Sequence, residues 1–213
     1  GAPEQRLPAA DRAAFAKALD EFIAGQRFAA DRPEAVTNLG ALYVERADAK
    51  QAEAQFKLAL ALDPGYTPAA VNLADLYRAL GREGDAEKVV RDALTRTPRD
   101  AALHHVLGLS LARQKRTADA VAEFAKAVQL APAFSPARAR LAESWLELDL
   151  PEKALREFQP IRRQDNSSLP RLDQLQIDAV DLTITREFAA ALAKYEQMRK
   201  VAGPDSADLN VDL

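Results

Sequence analysis

The stretch Ala52–Pro64, AEAQFKLALALDP, returns as AEKVVRDALTRTP over Ala86–Pro98 and again as AVAEFAKAVQLAP over Ala120–Pro132. Each return lies 34 residues after the last. Four columns stay in register: Ala52, Ala86 and Ala120; Phe56, Val90 and Phe124; Ala59, Ala93 and Ala127; Pro64, Pro98 and Pro132. Upstream the same interval aligns Leu39, Leu73 and Leu107, then the small residues Gly40, Ala74 and Gly108, then Tyr43, Tyr77 and Leu111. Columns held in register over three units mark an internal repeat, and a period of this size implies a stacked array rather than a single closed core.

Inside a unit the spacing is helical. Val36, Leu39, Gly40 and Tyr43 fall at i, i+3, i+4 and i+7, which is one face of a helix. Ala52, Phe56, Ala59 and Leu60 make the same face on a second helix. Polar turns such as Arg46–Asp48 and Leu80–Arg82 separate the two, and the proline stops the second helix because it lacks an N–H and restricts the residue before it. The small residues in the columns let the paired helices approach closely while the large ones fill the gaps. The expected fold is all-α: a right-handed α-solenoid of helix–turn–helix pairs.

The period and the small/large pattern resemble those of the tetratricopeptide (TPR) repeat family. The resemblance divides the chain into an N-terminal helix or half-repeat over 1–32, carried by Phe15, Ala18, Leu19, Phe22 and Ile23, and four repeats over 33–66, 67–100, 101–134 and 135–168. The fourth copy shows Leu141, Ala142, Trp145, Ala154 and Phe158. A fifth, degenerate copy over 169–203 fits after three extra linker residues near Ser168–Arg171, with Ala179, Leu182, Ala191 and Tyr195. Residues 204–213 are expected to be either a natural tail or the truncated start of a further repeat, Ala207–Leu213 reading like the opening of another first helix, as in a chain taken from a longer array. Pro160, inside the second helix of the fourth copy, predicts a bend or a loosened join between copies four and five.

In this family the first helix of each pair lines a concave groove that receives a peptide or partner helix. Carried onto this sequence, that implies a protein or peptide partner and groove candidates Asn38, Asn72, Asp75, Arg78, His105, Leu109, Arg113, Arg140 and Glu143. Val106 and Glu147 occupy neighbouring groove positions. Asn38 and Asn72 hold equivalent places one repeat apart, and an amide that both donates and accepts suits capture of a peptide backbone. Arg78, Arg113 and Arg140 would pair with carboxylates, from a ligand or from nearby Asp75, Glu143 and Glu147, the second being expected to dominate. His104 is expected to face the core. His105 is expected to face the groove and either to titrate near neutral pH or to donate to a ligand. The clamp by which some TPR domains hold chaperone tails is incomplete: Asn72 and Arg140 each match one position, but the lysine and second asparagine are missing. Phrasing within 11–132, such as Ala30–Ala35 and Ala102–His105, also resembles TPR segments of bacterial multihaem c-type cytochromes, which implies an accessory or assembly role in a larger protein. A third reading is end-to-end self-association.

Composition narrows the chemistry. Twenty-nine Lys and Arg against 32 Asp and Glu give a net charge of −3, which disfavours general binding to nucleic acid. That balance suits cytoplasm and periplasm equally. There is no cysteine, so thiol catalysis, disulfides, iron–sulfur ligation and haem attachment through C-x-x-C-H are excluded within these residues. Two adjacent histidines with no others argue against a metal site, and no stretch approaches the roughly 18 apolar residues of a membrane span, so no membrane insertion is expected. No glycine-rich phosphate loop or nucleophile elbow occurs, so neither a cofactor nor catalysis is expected.

Overall fold

A computed structural model of the chain describes residues 31–202, with Lys17, Asp20, Glu21 and residues 23–25. Through 31–202 run the helices α1 (Pro33–Glu45), α2 (Ala49–Leu62), α3 (Thr67–Ala79), α4 (Glu83–Leu94), α5 (Ala101–Arg113), α6 (Thr117–Leu130), α7 (Ser135–Glu147), α8 (Pro151–Phe158), α9 (Arg171–Ile184) and α10 (Phe188–Ala202). A short 3-10 turn, Ile161–Arg163, follows α8, and there is no strand among the described residues. The helices pair as α1/α2, α3/α4, α5/α6, α7/α8 and α9/α10, and each second helix also packs on the first helix of the next pair. Stacked this way they form the right-handed α-solenoid that the period implies. Successive first helices touch one another while successive second helices barely meet. In a curved stack the closer set lies inside, so α1, α3, α5, α7 and α9 form the inner wall.

One turn geometry recurs in every pair. Ala47, Gly81, Lys115 and Asp149, 34 residues apart, adopt left-handed φ values of 57°, 70°, 59° and 57°. Arg186, 37 residues further on, has φ 64°, so the three extra residues of the fifth copy are absorbed before its turn. The residue after each closes a hydrogen bond back to the first helix: Asp48 N–H to the Tyr43 carbonyl, Arg82 to Tyr77, Arg116 to Leu111, Leu150 to Trp145 and Glu187 to Leu182. Such bonds satisfy carbonyls orphaned at the helix end. At the other end, Asp100 caps α5 by accepting from the N–H groups of Ala102 (2.9 Å) and Leu103 (3.1 Å), and its second oxygen accepts from Thr67 Oγ1 at the start of α3 (2.6 Å). One carboxylate therefore caps a helix and joins it to the helix one repeat earlier.

Small residues face large ones where the helices of a pair cross. Phe56 and Phe124 are buried against Gly40 and Gly108. In the second pair the corresponding residues are Ala74 and Val90, a β-carbon gained where a ring is lost. On the outer side, Glu53 of α2 accepts from Arg82 (2.9 Å) and Glu87 of α4 accepts from Arg116 (3.0 Å), an ion-pair ladder with the same 34-residue step.

Of the two outcomes expected at Pro160, the structure shows the bend and not the loosened join. The helix does end before it, since α8 stops at Phe158, but the join is filled rather than loosened. Ile161 is 1% exposed and packs with Phe158, Ala154, Ile177 and Val180 in one apolar cluster spanning copies four and five. A second, larger cluster runs from Ala52 to Leu141, and Trp145 packs against both. The proline redirects the chain, and the next apolar residue plugs the bend. Of the N-terminal helix, Ile23 is described and is buried against Leu39; Phe15, Ala18, Leu19 and Phe22, like the tail 203–213, lie outside the described residues.

Candidate ligand-binding groove

Asn38 is exposed on α1 and Asn72 is half-buried on α3. Among the described residues neither amide has a hydrogen-bond partner within the chain. At the next step of this ladder Val106 is 5% exposed and belongs to the core cluster, so this groove position is turned inward. Leu109 is half-buried and also packs against that cluster.

The arginines are committed inside the chain. Arg78 is only 4% exposed, so it is not a groove-lining cation; its Nη2 donates to Asp75, whose carboxylate stays half in solvent, at 2.5 Å. Arg113 Nε donates to Glu83 of α4. Arg140 Nη1 donates to Glu143 at 3.0 Å. Glu143 also accepts from Gln176 Nε2 of α9 (2.9 Å) and from the Tyr195 hydroxyl of α10 (3.1 Å), which knits the fourth and fifth pairs together. Burial, with Glu143 beside it, raises the pKa of Tyr195. Glu147 is raised too, by desolvation and by Glu143, although Thr117 donates to it at 3.1 Å. Desolvation likewise raises Asp173, which Arg140 partly offsets.

His105 corrects the sequence reading. Its ring lies between Phe124 (5.8 Å) and Phe134 (5.0 Å), and its Nε2 is buried without a hydrogen-bond partner. Desolvation, with Arg140 and Arg78 nearby, lowers its pKa to about 3, so it does not titrate near neutral pH. His104 is buried as expected, but it is hydrogen-bonded at both nitrogens rather than simply packed.

Residues 43–109 and 111–176 match the tetratricopeptide repeat profile. The chain belongs to the TPR family. Among solved structures, PilF of Pseudomonas aeruginosa is 26% identical with a TM-score of 0.59, over 84% of this chain and 79% of PilF. A thermophilic TPR protein of Thermus thermophilus is 25% identical with a TM-score of 0.60, over 89% of this chain and 95% of that one. Human IFIT1, solved as a dimer with m7Gppp-AAAA, is 21% identical with a TM-score of 0.64, over 82% of this chain and 43% of IFIT1, a likeness of fold alone. No curated protein matches the sequence. TPR repeats build protein-interaction scaffolds, and that general role applies to this TPR chain.

The residues of this TPR wall that sequence reasoning passed over are Gln176, Asp173 and the hydroxyl of Tyr195. Gln176 stands where Thr37, Val71, His105 and Ala139 stand once the three added residues are counted. Among the described residues, no group of three or more His, Asp or Glu is gathered to hold a metal, and no helix is long and apolar enough to cross a membrane.

Proposed function

We propose that this TPR domain is a non-catalytic scaffold whose inner wall holds an extended peptide segment of a partner protein by its backbone, with Asn38 and Asn72 as the two capturing amides. The observation that carries this reading is the contrast between groups on the wall. Arg78, Arg113, Arg140 and Glu143 are engaged within the chain, whereas the two amides, one repeat apart, have no partner among the described residues. An amide presents a donor and an acceptor side by side, which matches one peptide group whatever its side chain. The buried or neutralised arginines favour side-chain-tolerant capture over recognition of a carboxylate. The chaperone-tail clamp is further disfavoured because Arg140 already holds Glu143.

The test uses unstructured peptides selected from a random display library on the wild-type chain. Asn38→Ala and Asn72→Ala should each weaken a selected peptide by about 1–2 kcal/mol, roughly fivefold to thirtyfold in Kd. N-methylation of one or two peptide bonds should abolish binding, while single side-chain replacements are tolerated. Equal affinity in the folded double variant would remove the two amides from the site.

A further inference from the structure

On the outer side of the stack successive second helices barely meet. The space left between α2 and α4 is a cleft of about 350 Å³. Its apolar lining includes Leu60 of α2 with Val89 and Ala93 of α4, and its charged lining is Asp92 and Arg96. That volume is at the lower end of the roughly 300–1,000 Å³ of small-molecule sites, which suits a ligand the size of one residue rather than a nucleotide. Two substitutions distinguish this repeat from the next two. In the third repeat His104 and Glu123 are joined at 2.6 Å, and Lys126 donates to the same carboxylate at 2.8 Å. In the fourth, Arg138 donates to Glu157 at 2.8 Å. One repeat before His104 and Glu123 stand Ala70 and Val89, which are shorter and apolar, so the polar link across the pair is missing. Asp92 holds the place of Lys126, and the carboxylate that Lys126 meets is replaced by Val89.

Asp92 and Arg96 have the spacing of neighbours on a helix. Among the described residues, however, neither side chain forms an ion pair or hydrogen bond, with the other or with any other group. Asp92 also lies in the last turn of α4, where its charge opposes the helix dipole. We propose that this cleft binds a free apolar α-amino acid of the size of leucine, with its side chain against Leu60, Val89 and Ala93, its carboxylate on Arg96 and its ammonium on Asp92. Those three groups branch from one carbon, and the cleft offers an apolar floor, a cation and an anion together. A guanidinium donates to a carboxylate through two parallel N–H groups, and a carboxylate accepts from an ammonium. A wholly apolar ligand would leave both charges unmatched, and a simple anion would be repelled by Asp92. The pattern of charge therefore selects a zwitterion.

Nitrogen-15 amide spectra of the whole chain, titrated with L-leucine, test this. Saturable shifts are expected in residues 60–65 and 89–96, and not at Asn38 or Asn72 on the inner wall. Leucinamide and N-acetylleucine should each bind about tenfold more weakly, because each lacks one charge. Glycine should bind at least roughly tenfold more weakly, because it has no side chain to bury. Arg96→Ala should erase the preference for leucine over leucinamide, and Asp92→Asn the preference for leucine over N-acetylleucine. Both side chains are exposed and bond to nothing among the described residues, so these variants keep the fold, and the ligand series on the wild type stands without them. No saturable shift, or shifts centred on the inner wall, overturns the proposal. So does wild-type affinity for leucine in both variants. N-acetylleucine bound as tightly as leucine overturns it too, and would assign the cleft to the last residue of a peptide chain.

Discussion

A β-carbon on Gly40 would lie 2.5 Å from Cε1 of Phe56, and one on Gly108 would lie at the same distance from Cε1 of Phe124. Neither ring has room to move, since Phe56 and Phe124 are 1% and 0% exposed. Gly40→Ala should therefore lower stability by about 1–3 kcal/mol through overpacking. The second TPR repeat shows the compensating change, with Ala74 opposite Val90. Introduced into Phe56→Val, Gly40→Ala should cost much less than in the wild type, because the smaller side chain leaves space for the methyl. A double-mutant cycle by urea denaturation measures this coupling. Strictly additive losses would show that the two residues do not constrain each other.

The turn residues predict opposite outcomes for opposite substitutions. Ala47 and Gly81 occupy the same left-handed place, at φ 57° and 70°. A β-carbon there costs about 1–2 kcal/mol, partly offset by the greater freedom that glycine has when unfolded. Ala47→Gly should thus stabilise the chain by about 0.5–1 kcal/mol, and Gly81→Ala should destabilise it by about 1 kcal/mol. Thermal unfolding of both variants provides the check. A destabilised Ala47→Gly would mean that the turn is held for reasons other than its φ.

Much of the fold was legible because its determinants are local and repeated. Alanine, phenylalanine and proline at fixed offsets specify two helices and a stop without reference to distant residues. The turns were only partly legible: Gly81 signals a left-handed residue, whereas Ala47, Lys115 and Arg186 adopt that conformation without any such signal. The groove was less legible still. Whether a polar residue on a first helix faces solvent or turns inward depends on partners about 30 residues away, such as Glu83 for Arg113 and Gln176 for Glu143. Arg78 and His105 were expected on the groove surface for that reason, and packing buries the Arg78 side chain and the His105 Nε2 atom instead. The effect of Pro160 was half legible, because a proline announces the end of a helix but not the side chain, here Ile161, that refills the bend.

Glu147 tests the electrostatics of the inner wall. It lies in the last turn of α7, where a negative charge opposes the helix dipole. Desolvation and the neighbouring Glu143 raise its pKa, against the Thr117 hydrogen bond and the charges of Lys115 and Arg140. A carboxyl whose pKa is raised on folding holds its proton more tightly in the folded chain than in the unfolded one. Its stabilising contribution is therefore present at acid pH and is lost as pH rises through the raised value. Glu147→Gln removes the charge but keeps an oxygen to accept from Thr117. The variant should have a higher Tm than the wild type at pH 8, and the gap should narrow as pH falls toward the carboxylate range. A gap that stays constant with pH would assign the gain to helix propensity or packing, and a lower Tm at pH 8 would mean that the charge at this position stabilises the wall.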